Sequence, residues 1–347
     1  MTYKFQMNHW RELEDTATYW VVGFEPGPGD VGYAANSDRT SWTMYDRVSG
    51  NGNTWDGAYG KDASGNGIYV FSNGSSSGEL TVSSDDITDG QLWTKVNIPG
   101  NLSNNRFQVV AWSNDSSDST SGVWLAGSKQ GNLFRSTNGA VSFTEISLPS
   151  QDSNSIFSIA GNGSGKFVTG QDDRMLISTN DGASFSSSQP FTFETLAGVA
   201  YTDSTWIVAY TRTGESNLFA RSAADSDLTT WSSEVDLGIA KPAAADGDND
   251  PGPRANIAAA NGRAVITSNK IAAISDVNYE SNKANVHVDK DFDINLSNCL
   301  MIGDSMTDYD AAVENQVPFL LRENEENREH FAFFDGPKVL NFLHWLR

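Results

Sequence analysis

The chain has 347 residues, 38% of them hydrophobic, and carries 44 acidic against 23 basic side chains for a formal charge of −21. That length admits one large domain or two ordinary ones, and that charge excludes nucleic acid and anionic membranes as partners, because like charge repels phosphate. The single cysteine, Cys299, excludes an intramolecular disulfide framework and reads as a small buried apolar residue.

Residues 1–18 form a leading segment that opens Met-Thr-Tyr-Lys-Phe-Gln, without the basic-then-apolar pattern of a signal peptide. No apolar run is long enough to span a bilayer. The expectation is a chain made in the cytoplasm without membrane insertion.

Residues 19–289 repeat one theme. Each copy opens with a strand of small and apolar residues and passes a polar turn into a second strand centred on Trp or Phe. After a gap it ends in a hairpin closed by an aromatic. In the first, weaker copy residues 20–23 match the second strand, and residues 36–42, Asn-Ser-Asp-Arg-Thr-Ser-Trp, stand for the hairpin, with Asp38 in its turn and Trp42 as its aromatic. The second copy runs through 55–60, 68–71 and 79–84 and, beyond an enlarged turn, reaches Trp93. The third takes 109–112, 123–127, 132–138 with Ser136, and 142–146 around Phe143. The fourth takes 156–160, 166–170, 175–180 with Ser178, and a last strand from Ser184. The fifth takes 196–201, 205–209, 217–223 and the strand begun by Thr229-Thr230-Trp231. The Pro-, Asp- and Gly-rich residues 241–254 read as a long surface loop. The sixth copy, again weaker, takes 255–260, 263–267 and 270–276, with Tyr279 as its closing aromatic.

Corresponding strands recur about 40 to 57 residues apart, near the length of a propeller blade. A sheet of such short strands cannot bury both faces alone, so it stacks on the next, and a ring closes the stack. The fold expected is mainly β: a β-propeller of six blades, or of seven if residues 3–10 and a further segment complete another.

The sharpest copy is the hairpin over 175–185, Met-Leu-Ile-Ser-Thr-Asn-Asp-Gly-Ala-Ser-Phe. Asn180, Asp181 and Gly182 tolerate left-handed backbone angles, and Phe185 begins the return strand. This stretch resembles the Asp-box of sialidase-type β-propellers, whose pattern is Ser-x-Asp-x-Gly-x-Thr-Trp. The resemblance implies a structural role at the outer edge of the blades, away from the central channel where ligands bind. Ser and Asp side chains tie the turn, and the aromatic packs between sheets. Asp38, Trp42, Trp93, Ser136, Phe143, Ser178, Asp181, Gly182, Phe185 and Trp231 are assigned this role. Lone Asp-Gly turns lack the several oxygen ligands that calcium requires. Sialidase chemistry would need three arginines for a substrate carboxylate and a Tyr–Glu pair. Arg106, Arg135 and Arg254 fall in separate copies with no mark of convergence, and no Tyr–Glu pairing in the sequence identifies a nucleophile. No catalytic residue is assigned.

From residue 290 to 347 the composition changes. Residues 299–302 and 318–321 are short, fully apolar runs, the mark of buried parallel strands, and 309–316, 323–331 and 338–347 read as helices. The segment is therefore expected to be a small βαβα piece with a right-handed crossover. Residues 300–312, Leu-Met-Ile-Gly-Asp-Ser-Met-Thr-Asp-Tyr-Asp-Ala-Ala, resemble motif IV of haloacid-dehalogenase-type phosphatases, where an apolar strand ends in Gly-Asp-x-x-x-Asp. The resemblance covers about residues 292–347 and implies Asp304 and Asp308 as Mg²⁺ ligands. The family's nucleophilic Asp should lie on a strand well upstream. Here Asp-x-Asp occurs at 289–291 and 291–293, too close to Gly303 for the elements that should intervene. Without that nucleophile no phosphoaspartyl intermediate forms. The segment reads as a truncated, inactive fragment whose open strand edge docks on the propeller, on a symmetry mate or on another protein. No cofactor is expected, Mg²⁺ at Asp304 and Asp308 being the one this resemblance would allow.

Composition and architecture together suggest a non-catalytic structural or binding protein of a bacteriophage virion: tail, fibre or particle surface. Its propeller would meet a protein or receptor, and its C-terminal piece would dock. Partners are then other proteins of the assembly, cell-surface glycan, or further copies of the chain. Two alternatives stand beside it: a sialidase-like glycan-binding propeller, with or without hydrolysis, and a Mg²⁺-dependent phosphatase acting through the C-terminal motif.

Overall fold

The computed structural model describes residues 19–23, 31–35, 38–45, 54–73, 78–83, 93–98, 106–149, 154–171, 173–241, 255–260, 263–268, 271–278, 283–285, 301–303, 306–314, 319–323, 328–334, 336 and 338–340. The chain divides into two compact units, one of Met1–Gly32 with Tyr45–Val288 and one of Tyr33–Met44 with Asp289–Arg347.

Three strands come first, β1 (Tyr19–Gly23), β2 (Val31–Ala35) and β3 (Asp38–Tyr45), in the order β1-β2-β3. Five four-stranded antiparallel sheets follow. The first holds β4 (Thr54–Lys61), β5 (Gly67–Asn73), β6 (Glu79–Val82) and β7 (Thr94–Asn97). The second holds β8 (Phe107–Ser113), β9 (Val123–Ser128), β10 (Leu133–Ser136) and β11 (Thr144–Ile146). The third is β12 (Ile159–Gly161), β13 (Phe167–Gln171), β14 (Arg174–Ser178) and β15 (Ser186–Ser188). The fourth is β16 (Thr195–Thr202), β17 (Thr205–Thr211), β18 (Asn217–Ala224) and β19 (Val235–Ala240), and the fifth is β20 (Asn256–Ala260), β21 (Arg263–Ser268), β22 (Ile271–Asn278) and β23 (Lys283–Asn285).

Each of these sheets is an up-and-down meander in chain order, and each packs its faces on its neighbours. Phe107, Trp124, Phe134 and Phe143 of the second sheet form one apolar core with Ile68, Val70 and Leu80 of the first. Leu125 and Leu133 of the second meet Ile159, Phe167 and Leu176 of the third. Val168 and Met175 of the third meet Trp206, Val208 and Tyr210 of the fourth. Ile207, Leu218 and Leu237 of the fourth meet Ile257, Ala264 and Ile266 of the fifth. Both faces of a middle sheet are thus buried, which is why its strands read as continuous apolar runs rather than as alternation.

The first strands of successive sheets neighbour one another: β4 with β8, β8 with β12, β12 with β16, and β16 with β20. Their close approach has two sequence causes. Gly127 and Gly170 occupy matching places in β9 and β13; a Cβ on Gly127 would sit 2.7 Å from Ile156 Cγ2, and one on Gly170 would sit 2.3 Å from Leu196 Cβ. The first strands β4, β8 and β16 also carry a bulge near their starts, which turns backbone groups out of their own ladder. Side chains and backbone of adjacent first strands then meet those groups. Asp56 Oδ2 accepts from Val110 N at 3.0 Å, Ser158 Oγ accepts from Val199 N at 2.9 Å, and Ala197 O accepts from Ala255 N at 3.1 Å.

The expected copies two to six coincide with these five sheets. Copy one differs. Residues 38–42 lie inside β3 rather than in a hairpin turn, since Arg39-Thr40-Ser41 provides no residue suited to left-handed angles.

In the second unit β24 (Met301–Gly303), α1 (Met306–Glu314), β25 (Phe319–Glu323) and β26 (Lys338–Leu340) follow in that order. The strands are parallel, Met301 opposite Phe319 and Leu321 opposite Lys338. Ala312 and Phe331 are buried there, with Met306, Tyr309 and Phe334 packed against them. Helices expected over 323–331 and 338–347 are not found among the described residues: 328–333 is turn, and Lys338–Leu340 is a strand. Pairing with β25 outweighs local helix preference in so short a segment. Among the described residues the order is β, α, β, turn and β, where βαβα was expected; 324–327 and 341–347 of the two expected helices lie outside the described residues.

Candidate functional site

The sharpest polar arrangement in the sheets is a pair of near-identical hairpin turns, Ser136-Thr137-Asn138-Gly139-Ala140-Val141-Ser142-Phe143 and Ser178-Thr179-Asn180-Asp181-Gly182-Ala183-Ser184-Phe185. In the first, Ser136 Oγ donates to Asn138 Oδ1 at 2.8 Å and accepts from Ala140 N at 3.2 Å. Asn138 Oδ1 accepts from Ser142 N at 3.1 Å, and Asn138 Nδ2 donates to Ser142 Oγ at 2.9 Å. The second repeats every bond: Ser178 Oγ to Asn180 Oδ1 at 3.0 Å, Gly182 N to Ser178 Oγ at 3.0 Å, Ser184 N to Asn180 Oδ1 at 3.0 Å, and Asn180 Nδ2 to Ser184 Oγ at 2.9 Å. Two consecutive residues take left-handed angles in each, Gly139 (φ 67) and Ala140 (φ 62), and Asp181 (φ 59) and Gly182 (φ 70).

The residue that ties the turn is therefore Asn180 and its counterpart Asn138, not Asp181. The Asp181 carboxylate reaches instead to the preceding sheet, accepting from Ser116 N at 2.6 Å and Ser116 Oγ at 2.7 Å, while Arg135 Nε donates to the Asp181 carbonyl at 2.7 Å. The closing aromatics Phe143 (2% exposed) and Phe185 (8%) enter the cores between their own sheet and the one before. Trp93 is buried beside Phe71, ring centroids 5.6 Å apart. Trp231 lies half-buried on the core of the third and fourth sheets, its Nε1 donating to Leu228 O at 2.8 Å.

One tie recurs along the stack: the last turn of a sheet reaches back to the first turn of the preceding sheet. Gly139 lies so near the β4–β5 turn that a Cβ on it would stand 2.1 Å from Ala63 N. Asp181 takes Ser116 in the β8–β9 turn. Asp225, after β18, takes Lys166 Nζ at 2.8 Å and Asn162 Nδ2 at 3.2 Å from the β12–β13 turn, and Trp206 Nε1 at 2.7 Å. Burial alone would raise the Asp225 carboxyl, but the hydrogen bonds from Lys166 and Trp206, with the charge of Lys166, hold it below its ordinary value.

A second polar group was not legible in the sequence. Tyr210 at the end of β17 is fully buried and donates through its hydroxyl to Glu234 Oε2 at 2.7 Å. Arg221 Nε donates to the same hydroxyl at 3.0 Å, and Arg212 pairs with Glu234 Oε1 at 2.7 Å. Arg221 lies 5.1 Å over the Phe191 ring, Arg212 lies 5.3 Å over Phe219, and Trp231 stands edge-on to Phe191 at 5.3 Å. A Tyr–Glu pair with two arginines thus assembles from residues up to 24 positions apart, with no spacing to betray it. Burial, followed by the hydrogen bond given to Glu234, pushes the Tyr210 hydroxyl well above its ordinary value. It acts as a donor and not as a phenolate. Arg212, with 41% of its side chain exposed, is the member most open to solvent, ahead of Arg221 and Glu234.

Other expected residues lie elsewhere. Arg135 holds the 178–185 turn, and Arg254 lies outside the described residues. Asp304 also lies outside them, and of Asp308 the backbone alone is described, in the first turn of α1. Among the described residues no group of three His, Cys, Asp or Glu side chains converges as a metal site.

No family model and no curated protein matches the chain. Among solved structures, an ancestral GH74 enzyme is similar over 80% of this chain and 38% of that chain, at 15% identity and a TM-score of 0.52. A computationally designed protein, Ika8, is similar over 79% of this chain and 71% of that chain, at 12% identity and a TM-score of 0.46. The chain thus spans well under half the length of the GH74 enzyme, and that likeness is one of fold alone: a mainly β chain built of several four-stranded antiparallel sheets.

Proposed function

We propose that this chain is a β-propeller scaffold that works by binding rather than by catalysis, as a structural component of a larger particle such as a bacteriophage virion. The observation that carries this reading is the use made of its ionisable groups. Asp181, Arg135, Asp225 and Lys166 all join one sheet to the next, so these ionisable side chains hold the stack together. The succession of sheets with neighbouring first strands supports a six-bladed ring, with the C-terminal segment as a docking piece. Mass-resolved co-purification from the native source tests it. The chain is expected to travel with the proteins of a particle, and a chain that elutes alone and monomeric would contradict the reading.

The cluster of Tyr210, Glu234, Arg212 and Arg221 favours a second reading, a glycan-binding propeller. Its aromatic faces and half-exposed guanidinium suit a sugar that carries an acidic group. Binding on a glycan array that Arg212→Ala abolishes would support it; an array with no hits would remove it. The phosphatase reading rests on Asp304 and Asp308. Its assay is hydrolysis of an aryl phosphate with Mg²⁺, which Asp304→Asn should eliminate.

A further inference from the structure

Across the β12–β13 turn Asn162 and Lys166 stand opposite one another, Asn162 N donating to Lys166 O at 3.0 Å and Lys166 N donating to Asn162 Oδ1 at 3.0 Å. Residues so opposed project from one face of the hairpin with Cβ atoms about 5 Å apart. Both side chains end on a single carboxylate of the next sheet. Lys166 Nζ lies 2.8 Å from Asp225 Oδ1 and also donates to the Asp225 carbonyl, and Asn162 Nδ2 donates to Asp225 Oδ2 at 3.2 Å. The Asn162 side-chain oxygen meanwhile accepts two backbone N–H groups, Ser164 at 2.8 Å and Lys166 at 3.0 Å. A primary amine, a polarised carboxamide and a carboxylate bridging the two are thus in place, with 20% of the Lys166 side chain and 25% of the Asp225 side chain exposed.

We propose that Lys166 and Asn162 form an intramolecular amide bond, with Asp225 carrying the protons. Lys166 Nζ gives a proton to Asp225, and its freed electron pair attacks Cγ of Asn162. As the N–C bond forms, the carbonyl electrons move onto Oδ1, where the N–H groups of Ser164 and Lys166 hold the developing charge. Asp225 passes the proton to Nδ2, the Cγ–Nδ2 bond breaks, and the carbonyl re-forms. The two protons lost from Nζ depart with Nδ2 as ammonium, so no oxidant or co-reactant enters. Asn162 is the electrophile rather than Asp225, because a carboxylate that accepts charged and neutral donors resists attack, whereas a neutral amide whose oxygen is doubly hydrogen-bonded is open to it. The bond closes the turn covalently at the point where the third sheet receives Asp225 of the fourth. It stands independently of the functional reading above.

The test is the intact mass of the purified full chain together with its tryptic map. The expected mass is lower than the sequence mass by one ammonia, with the deficit confined to the peptide carrying residues 162–166 and with Lys166 resistant to trypsin. Lys166→Arg and Asp225→Asn should each restore the full mass, with circular dichroism confirming that both variants fold. A wild-type chain of full mass, cut at Lys166, overturns the proposal whatever the variants do. So does a deficit that survives Lys166→Arg, since that would mark cyclisation of Asn162 onto Gly163 N.

Discussion

Asn180 stands where the Asp-box pattern has aspartate, and its amide uses a hydrogen that a carboxylate lacks. Nδ2 donates to Ser184 Oγ while Oδ1 accepts from Ser184 N and from Ser178 Oγ. A hydroxyl rotates to donate or accept, so Asn180→Asp should leave the turn intact and shift stability by less than about 0.5 kcal/mol. Asn180→Ala deletes every one of those bonds and is expected to cost about 1–3 kcal/mol in urea unfolding; equal stabilities for the two variants would show that the turn does not depend on residue 180. Asp115 supplies a pH dependence. The Asp115 carboxyl is raised by burial but lowered further by hydrogen bonds from Ser119 and Ser117, so it sits below its ordinary value. A depressed folded-state value contributes stability that is present above the unfolded value and lost as pH falls through the folded one. The urea midpoint should therefore hold down to about pH 5 and decline from about pH 4 downward, and Asp115→Asn should flatten that decline. A midpoint unchanged by acid would refute the assignment.

At the scale of elements, the turns were more legible than the sites. Ser-Thr-Asn followed by Gly or Asp-Gly and an aromatic demands a tight hairpin whatever surrounds it, and five sheets fell where their copies were expected. Gly139 shows why the pattern is strict: it takes φ 67, and a Cβ there would meet the backbone of Asp62 and Ala63 in the preceding sheet. Gly139→Val should therefore lower stability by about 3 kcal/mol or more, combining backbone strain with a backbone clash, whereas Val141→Ala at a 67% exposed position should leave it nearly unchanged. Similar losses at both would contradict the packed turn. The Tyr210 cluster escaped the sequence because its members come from β17, β18 and the segment before β19 and meet through sheet pairing and sheet stacking, which carry no linear signature. The C-terminal strand β26 was misread for a related reason. A short run such as Lys338-Val339-Leu340 fits either period, and a strand partner far along the chain decides between them. Asp181 was given the wrong partner: an Asp in an Asp-box-like turn suggested a local bond, and the structure sends it to the neighbouring sheet.

For the whole molecule, the same device recurs from sheet to sheet. Each first strand lies against the next, an apolar core is shared by each successive pair of sheets, and Asp181 and Asp225 near the last turns of the third and fourth sheets reach back to the sheet before. Such a chain gains stability by adding near neighbours, and the outer strands β11 (Thr144–Ile146) and β15 (Ser186–Ser188) are short and mostly polar, which protects those edges from further pairing. That economy suits a scaffold whose identity lies in its shape. The measurement that tests this most directly is single-particle electron cryomicroscopy of the intact chain, alone or in its particle, read for the number of sheets around a common axis. A closed ring of six blades, or seven, with β4, β8, β12, β16 and β20 lining its centre is expected. An open stack whose end sheets never meet would contradict it.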